Sequence, residues 1–295
     1  MIVKAPSKLY LAGEYAVLNS GSYAIIASVD KFTYLELIKS DEEKIISNIE
    51  DKSNILVYAR KVAFDFVKKY DKFTYKYSTD LYVNNIKLGL GSSASITVVT
   101  IKAILQYYNF SYTKDDLFLL SVKALNIAGI SGSMGDVACI CYDDLILYKS
   151  INLSTNEYEI KKINLKNNLN INAIWTGIPA STGSQIKNMK QIIDTKEFKI
   201  FNEKSNMFTL ELFKILETSN TYDLQQCIKN LRDNLKYFES FSNIKIYTDK
   251  INDIIKKNKN SKTSGAGLGD FVISLEFGEK DEKRPTHRIF FDTGQ

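Results

Sequence analysis

The sequence predicts a chain of mixed helices and strands with enough length for about two domains, at roughly 100–200 residues each. Three observations carry this. Residues 80–84 alternate polar and apolar like a strand, Gly89-Leu90-Gly91-Ser92-Ser93-Ala94-Ser95 forms a glycine and hydroxyl loop, and residues 96–108 are long enough for a helix. Residues 4–15 and 23–38 show the alternation and the β-branched and aromatic content of strands. Residues 201–218, 222–238 and 244–257 carry helical patterns, and residues 271–277 read as a closing strand.

In chain order, Ser53 is expected to cap a helix whose face carries Leu56, Ala59, Ala63, Phe66, Val67 and Tyr70. The run Ile96-Thr97-Val98-Val99-Thr100-Ile101 is β-branched and would be a strand by propensity alone. It is read as helix because a buried helix tolerates a deficit of a few tenths of a kcal/mol per residue. Thr113-Lys114-Asp115-Asp116 resembles a capping box before a helix that stops at Gly129. Ser131-Gly132-Ser133-Met134-Gly135-Asp136 is expected to be a loop feeding a hairpin, with Asp136 at the mouth of a strand. Residues 154–172, polar and rich in Asn and Lys, are the candidate domain boundary. A helix is expected from about Gln185, after Pro179-Ala180-Ser181-Thr182-Gly183-Ser184.

Composition narrows the function classes. Of 295 residues 44% are hydrophobic, ample for a real core, and no stretch reaches the roughly 18 apolar residues a membrane span needs. Three cysteines, Cys139, Cys141 and Cys227, fit reduced thiols and a cytoplasmic setting. The net charge is only +5 and the arginines are few, so a solvated lysine-rich surface is expected rather than a nucleic-acid partner. The single histidine, His287, sets aside histidine-centred triads and multi-histidine metal sites. Asp, Glu, Lys, hydroxyls and backbone groups remain. Phosphoryl transfer suits that set, because positioning and electrostatics do most of its work. A strand, glycine loop and helix in succession present backbone N–H groups to a phosphate.

Five stretches, in this order, resemble the GHMP kinase superfamily. They are Lys8-Leu9-Tyr10-Leu11-Ala12-Gly13-Glu14-Tyr15, Lys87-Leu88-Gly89-Leu90-Gly91-Ser92-Ser93, Gly132-Ser133-Met134-Gly135-Asp136, Pro179-Ala180-Ser181-Thr182 and Ser264-Gly265-Ala266-Gly267-Leu268-Gly269-Asp270. The third and fourth favour the phosphomevalonate kinases within it. The resemblance implies an α+β, two-domain GHMP kinase-like fold. Its N-terminal domain, residues 1–155, would be like domain 2 of ribosomal protein S5, and its C-terminal domain, residues 156–295, ferredoxin-like. It implies ATP and Mg²⁺ as cofactors, phosphomevalonate as acceptor, and no nucleic-acid or membrane partner. Lys8 and Asp136 match the catalytic positions. Gly89, Leu90, Gly91, Ser92, Ser93, Ala94 and Ser133 would hold the ATP phosphates, with Ser92 or Ser93 on Mg²⁺. Lys87, Ser181, Thr182, Gly265, Ala266 and Asp270 would bind the acceptor. Glu14 is expected either to fix Lys8 or to be a surface carboxylate.

The chain departs from the superfamily pattern in three places. Leu268 stands where a glycine run is usual, and Ser7 replaces a glycine before Lys8. Residues 283–295 hold two of the four arginines, the one histidine and one of the three prolines. The tail from about 280 is therefore expected to be truncated or frame-shifted, without the terminal helix and strand of a ferredoxin-like half. Mevalonate kinase, another small-molecule GHMP kinase, or a non-catalytic protein on the same scaffold are the competing readings.

Overall fold

The computed structural model describes residues 1–49, 51, 53–180, 189, 191–258, 260–279 and 287–292. The chain gathers into two compact units, Met1–Lys8 with Ser28–Asp144, and Leu9–Ala27 with Leu145–Gln295. The mid-chain change of unit falls at 144/145, against the expected 155/156, and residues 9–27 join the second unit.

In the first unit, strand β1 (Ile2–Ala12) contributes its opening residues and pairs with β2 (Ser22–Lys39). β3 (Lys44–Ser47) runs parallel to β4 (Phe73–Thr79), which pairs antiparallel with the later part of β2. Phe73, Tyr75 and Tyr77 of β4 are buried and alternate with less buried neighbours, as the two-residue period of a half-buried strand requires. A short hairpin, β5 (Tyr82–Val83) and β6 (Ile86–Lys87), leads into the glycine loop.

Four helices complete this unit: α1 (Ile55–Val67), α2 (Ser92–Tyr107), α3 (Lys114–Ile127) and α4 (Gly135–Tyr142). The β-branched run in α2 is helical as expected, and that helix is buried on nearly every side, so packing overrides propensity. The Thr113 and Asp116 capping box is present, with the Thr113 hydroxyl accepting from the Asp116 N–H and the Asp116 carboxylate from the Thr113 N–H. Two expectations are corrected. Helix α1 is capped by Asp51, whose carboxylate accepts from the N–H groups of Ile55 at 2.8 Å and Leu56 at 3.0 Å; Phe66 and Tyr70 lie exposed, off its buried face. Residues 135–142 form a helix rather than a hairpin strand, so Asp136 lies in a helical first turn. A short apolar run buried on all sides has no periodicity to tell helix from strand, and the left-handed backbone of Met134 and Asp143 sets its ends.

In the second unit, β7 (Leu145–Asn152) pairs antiparallel with the beginning of β2 and with β8 (Glu157–Lys162). Residues 154–172 thus carry β8 and the start of β9 (Leu169–Trp175), not a linker. A second sheet has the order β10 (Ser261–Ser264), β11 (Phe271–Phe277), β9, β12 (His287–Asp292). The first three strands are antiparallel, and β12 runs parallel to β9. The tail therefore supplies an edge strand where none was expected, with Ile289 and Phe291 half-buried and Phe290 exposed. The expected helix from about Gln185 falls mostly outside the described residues.

Helices α5 (Lys196–Thr218), α6 (Thr221–Ser242) and α7 (Asp249–Lys257) belong to this unit, the last beginning later than the predicted 244 because Thr248 caps it. Their core gathers Tyr15, Phe198, Phe201, Phe238, Ile246 and Ile251. Phe238 is the hub, with ring centroids 4.6 Å from both Tyr15 and Phe201. Phe238→Ala is expected to lower stability by about 3–5 kcal/mol, the range for truncating a buried aromatic, as measured by urea denaturation.

Candidate functional site

In the first unit, the glycine loop meets Lys8, some eighty residues earlier in the chain. The Lys8 N–H donates to the Leu90 carbonyl at 3.1 Å, and its Nζ donates to the Gly89 carbonyl at 3.2 Å. The lysine is thus held to the glycine loop from both ends of its side chain. Gly91 has φ +87, and a Cβ built there would lie 3.0 Å from Cε and 3.1 Å from Cγ of Lys8. Only a residue without a side chain adopts this backbone at low cost and also leaves space for the lysine stem.

Gly91 is also the N-cap of α2 and offers no side chain to the helix start. The Ser95 N–H donates to the Gly91 carbonyl at 2.9 Å, so the N–H groups of Ser92, Ser93 and Ala94 precede the intrahelical ladder. A 16-residue helix opens here with its partial positive end beside the Lys8 stem. Ser92 is buried, whereas Ser93 is exposed. Lys87 stands exposed on β6, just before the loop.

Asp136 sits in the first turn of α4, half-buried, with one carboxylate oxygen accepting from the Val137 N–H at 2.9 Å. Ser133, buried just before this helix, accepts from the Gly135 N–H at 3.3 Å. Cys139, one turn further on, is fully buried. Burial pushes its thiol well up; the Lys8 charge acts in the opposite direction, and the charges of Asp143, Asp136 and Asp144 reinforce the rise. Cys141 is likewise raised, and Cys227 in the second unit is pushed up to about 12, each chiefly by burial.

The second unit carries Gly265, Ala266 and Asp270 on the loop between β10 and β11. Gly265, Gly267, Leu268 and Asp270 all have positive φ. Leu268, in the place of a usual glycine, takes φ 61, a conformation unfavourable by roughly 1–2 kcal/mol for a residue bearing a Cβ. Its N–H donates to the Ile246 carbonyl at 2.8 Å, which helps hold it there. A Cβ at Gly269 would lie 2.1 Å from the Ile178 carbonyl oxygen, so the loop passes directly over residues 178–180. Asp270 is buried, and its carboxylate accepts from the Ala180 N–H at 3.0 Å. It therefore fastens the residue just before Ser181 and Thr182, which themselves lie outside the described residues.

One pair escaped the sequence reading. Glu14 neither fixes Lys8 nor lies on the surface; its carboxylate accepts from the Lys262 Nζ at 2.5 Å, with the side chains 3% and 0% exposed. Lys262 reads as the polar lead-in to a loop, yet all four residues of β10 are buried. The available signal was Glu14 itself, because a carboxylate in an apolar strand that turns into a core needs a partner.

Among the described residues no group of three or more His, Cys, Asp and Glu could hold a metal ion, and no helix is long and apolar enough to cross a membrane. Mg²⁺ keeps few protein ligands when it is bound with a nucleotide, and the serine hydroxyls of the loop fit that mode. The exposed Ser93 suits that better than the buried Ser92.

Residues 57–144 match the family described as GHMP kinases N terminal domain. A phosphomevalonate kinase from a Streptomyces species is 23% identical, over 92% of this chain and 88% of its own length. A mevalonate kinase of Methanocaldococcus jannaschii is 29% identical over 51% of this chain and 54% of its own. Among solved structures, Streptococcus pneumoniae phosphomevalonate kinase in complex with phosphomevalonate and AMPPNP is similar at 27% identity and a TM-score of 0.86, covering 94% of this chain and 92% of that one.

The loop geometry makes a direct experiment available. Gly91→Ala is expected to destabilise the protein by about 1–2 kcal/mol, through the left-handed backbone and the crowding of Lys8. Its nucleotide affinity, measured by calorimetry with a non-hydrolysable ATP analogue, is expected to fall by about ten-fold or more. The chain has the GHMP kinase fold and is similar over nearly its whole length to phosphomevalonate kinases.

Proposed function

We propose that this protein transfers the γ-phosphoryl group of ATP to the phosphate of phosphomevalonate, forming diphosphomevalonate and ADP. The observation that carries the reading is Lys8 held at both ends against a glycine loop that opens a helix. It occurs in a chain similar throughout to an enzyme solved with phosphomevalonate and an ATP analogue.

The N–H groups from Leu90 to Ala94 bind the ATP phosphates at the positive end of α2, with Gly89, Gly91 and Ser133 shaping the backbone around them. Mg²⁺, when bound, supplies further charge neutralisation, with Ser93, or Ser92 after a side-chain adjustment, as its protein ligand. Lys8 neutralises the charge that develops on the transferring group. The acceptor is itself a phosphate monoester, with a second pKa near 6, so it is largely ionised at neutral pH. A strong general base is then unnecessary, and Asp136 serves to orient the cationic groups rather than to take a proton. Lys87, Ser181, Thr182, Gly265 and Ala266 hold the acceptor's anionic groups. Asp270 acts through the backbone it fastens, since an ionised carboxylate facing a phosphate would repel it.

Lys8→Met is expected to lower kcat by about 10²–10³-fold, as for other preorganised charge-stabilising groups, with nucleotide affinity changed only a few-fold. Asp136→Asn at near-normal turnover would remove its orienting role. An ADP-coupled assay with phosphomevalonate, mevalonate and homoserine as separate acceptors tests the whole reading. Turnover with phosphomevalonate alone is expected; turnover with an alcohol and none with phosphomevalonate would overturn it. ATP binding without turnover on any acceptor would favour a non-catalytic protein.

A further inference from the structure

We propose that Glu14 and Lys262 are a positioning pair for the loop between Ser264 and Asp270, fixing the conformation in which Gly265 and Ala266 meet the acceptor; this deepens the kinase reading and rests on it. All the groups concerned lie within the second unit.

The argument starts from what the loop must endure. Gly265, Gly267, Leu268 and Asp270 are all left-handed, and two of them are not glycine. Such a backbone persists only when its surroundings over-determine it. Its far end is held by N–H groups of Leu268 and Asp270, donating to the carbonyls of Ile246 and Ile178, each at 2.8 Å. Its near end is held by side chains. Ser264 Oγ donates to the Tyr10 carbonyl at 2.7 Å, the Tyr15 hydroxyl donates to the Ala266 carbonyl, and the ion pair joins Glu14 to Lys262 between them. Lys262 Nζ also donates to the Thr263 carbonyl at 2.7 Å, which fixes the ammonium at the end of β10.

These ties join residues 10, 14 and 15 to residues 264, 262 and 266. They set the register between the end of the first motif and the start of the last. A buried ion pair is a poor choice for stability alone, because an apolar pair of similar volume is often as stable. Its advantage is directional: one ammonium with fixed acceptors defines one register, whereas apolar side chains tolerate several. Glu14 lies between Gly13, whose added Cβ would meet the Tyr23 carbonyl at 2.2 Å, and Tyr15, stacked on Phe238. The carboxylate therefore comes from a rigid turn.

The test compares Lys262→Met, Glu14→Gln and the double variant with the parent protein. Each single variant leaves one buried charge unmatched, which is strongly destabilising; the double variant removes both. In a folded double variant, amides of residues 266–270 are expected to exchange with deuterium about ten-fold faster or more, with those of α6 unchanged. The KM for phosphomevalonate is expected to rise by about ten-fold or more, with binding of a non-hydrolysable ATP analogue unchanged. Lys262→Arg keeps the charge pair at altered reach, and is expected to shift both readings less; it also serves where the double variant does not fold. Unchanged loop exchange in the folded double variant, or in Lys262→Arg where the double variant does not fold, would overturn the positioning role, as would uniform loss of protection across the unit. Absence of phosphomevalonate turnover in the parent protein would instead count against the kinase reading. The exchange comparison then still decides the loop.

Discussion

A missing side chain at Gly91 is the constraint on which the first unit's chemistry depends. The left-handed backbone there turns the chain from the hairpin into α2, and the space left by the absent Cβ is occupied by the stem of Lys8. A cation, a row of N–H groups that precede a helical ladder, and the positive end of a helix are concentrated beside one another. Each would be modest alone. Held together by hydrogen bonds from the Lys8 N–H at 3.1 Å and its Nζ at 3.2 Å, they need little rearrangement to receive an anionic ligand, which is the economy of a preorganised site.

The second unit solves a different problem by other means. Its loop has few apolar anchors and two non-glycine residues in left-handed conformations, so hydrogen bonds and a buried ion pair define its path. Asp270 shows how a buried carboxylate can serve the backbone of a neighbouring segment. Its carboxylate accepts from the Ala180 N–H and fixes the backbone there.

Much of this was legible from local chemistry. Thr113 and Asp116 announced a helix start because capping is a four-residue interaction, complete within its own segment. The glycine loop and Lys8 were legible as types, although their mutual hold was not, since nothing in sequence shows that residues 8 and 89 share a hydrogen bond. Where reading failed, the missing information was tertiary. Residues 135–142 lack periodicity because both faces of the helix are buried. Asp51 reaches past the nearer Ser53 to cap α1 from four residues upstream. Residues 154–172 look like a linker because β8 is an edge strand, largely solvated and free to be polar. Lys262 looked like loop chemistry because its partner lies 248 positions away.

The three cysteines have a practical consequence. All are buried, and burial raises each thiol far above neutrality, so almost no thiolate is present at the pH where maleimides and disulfide reagents are used. Burial also shields the native thiols from such reagents in the folded protein. A cysteine introduced at an exposed position would therefore accept a fluorophore or spin label by itself, without prior removal of the other three.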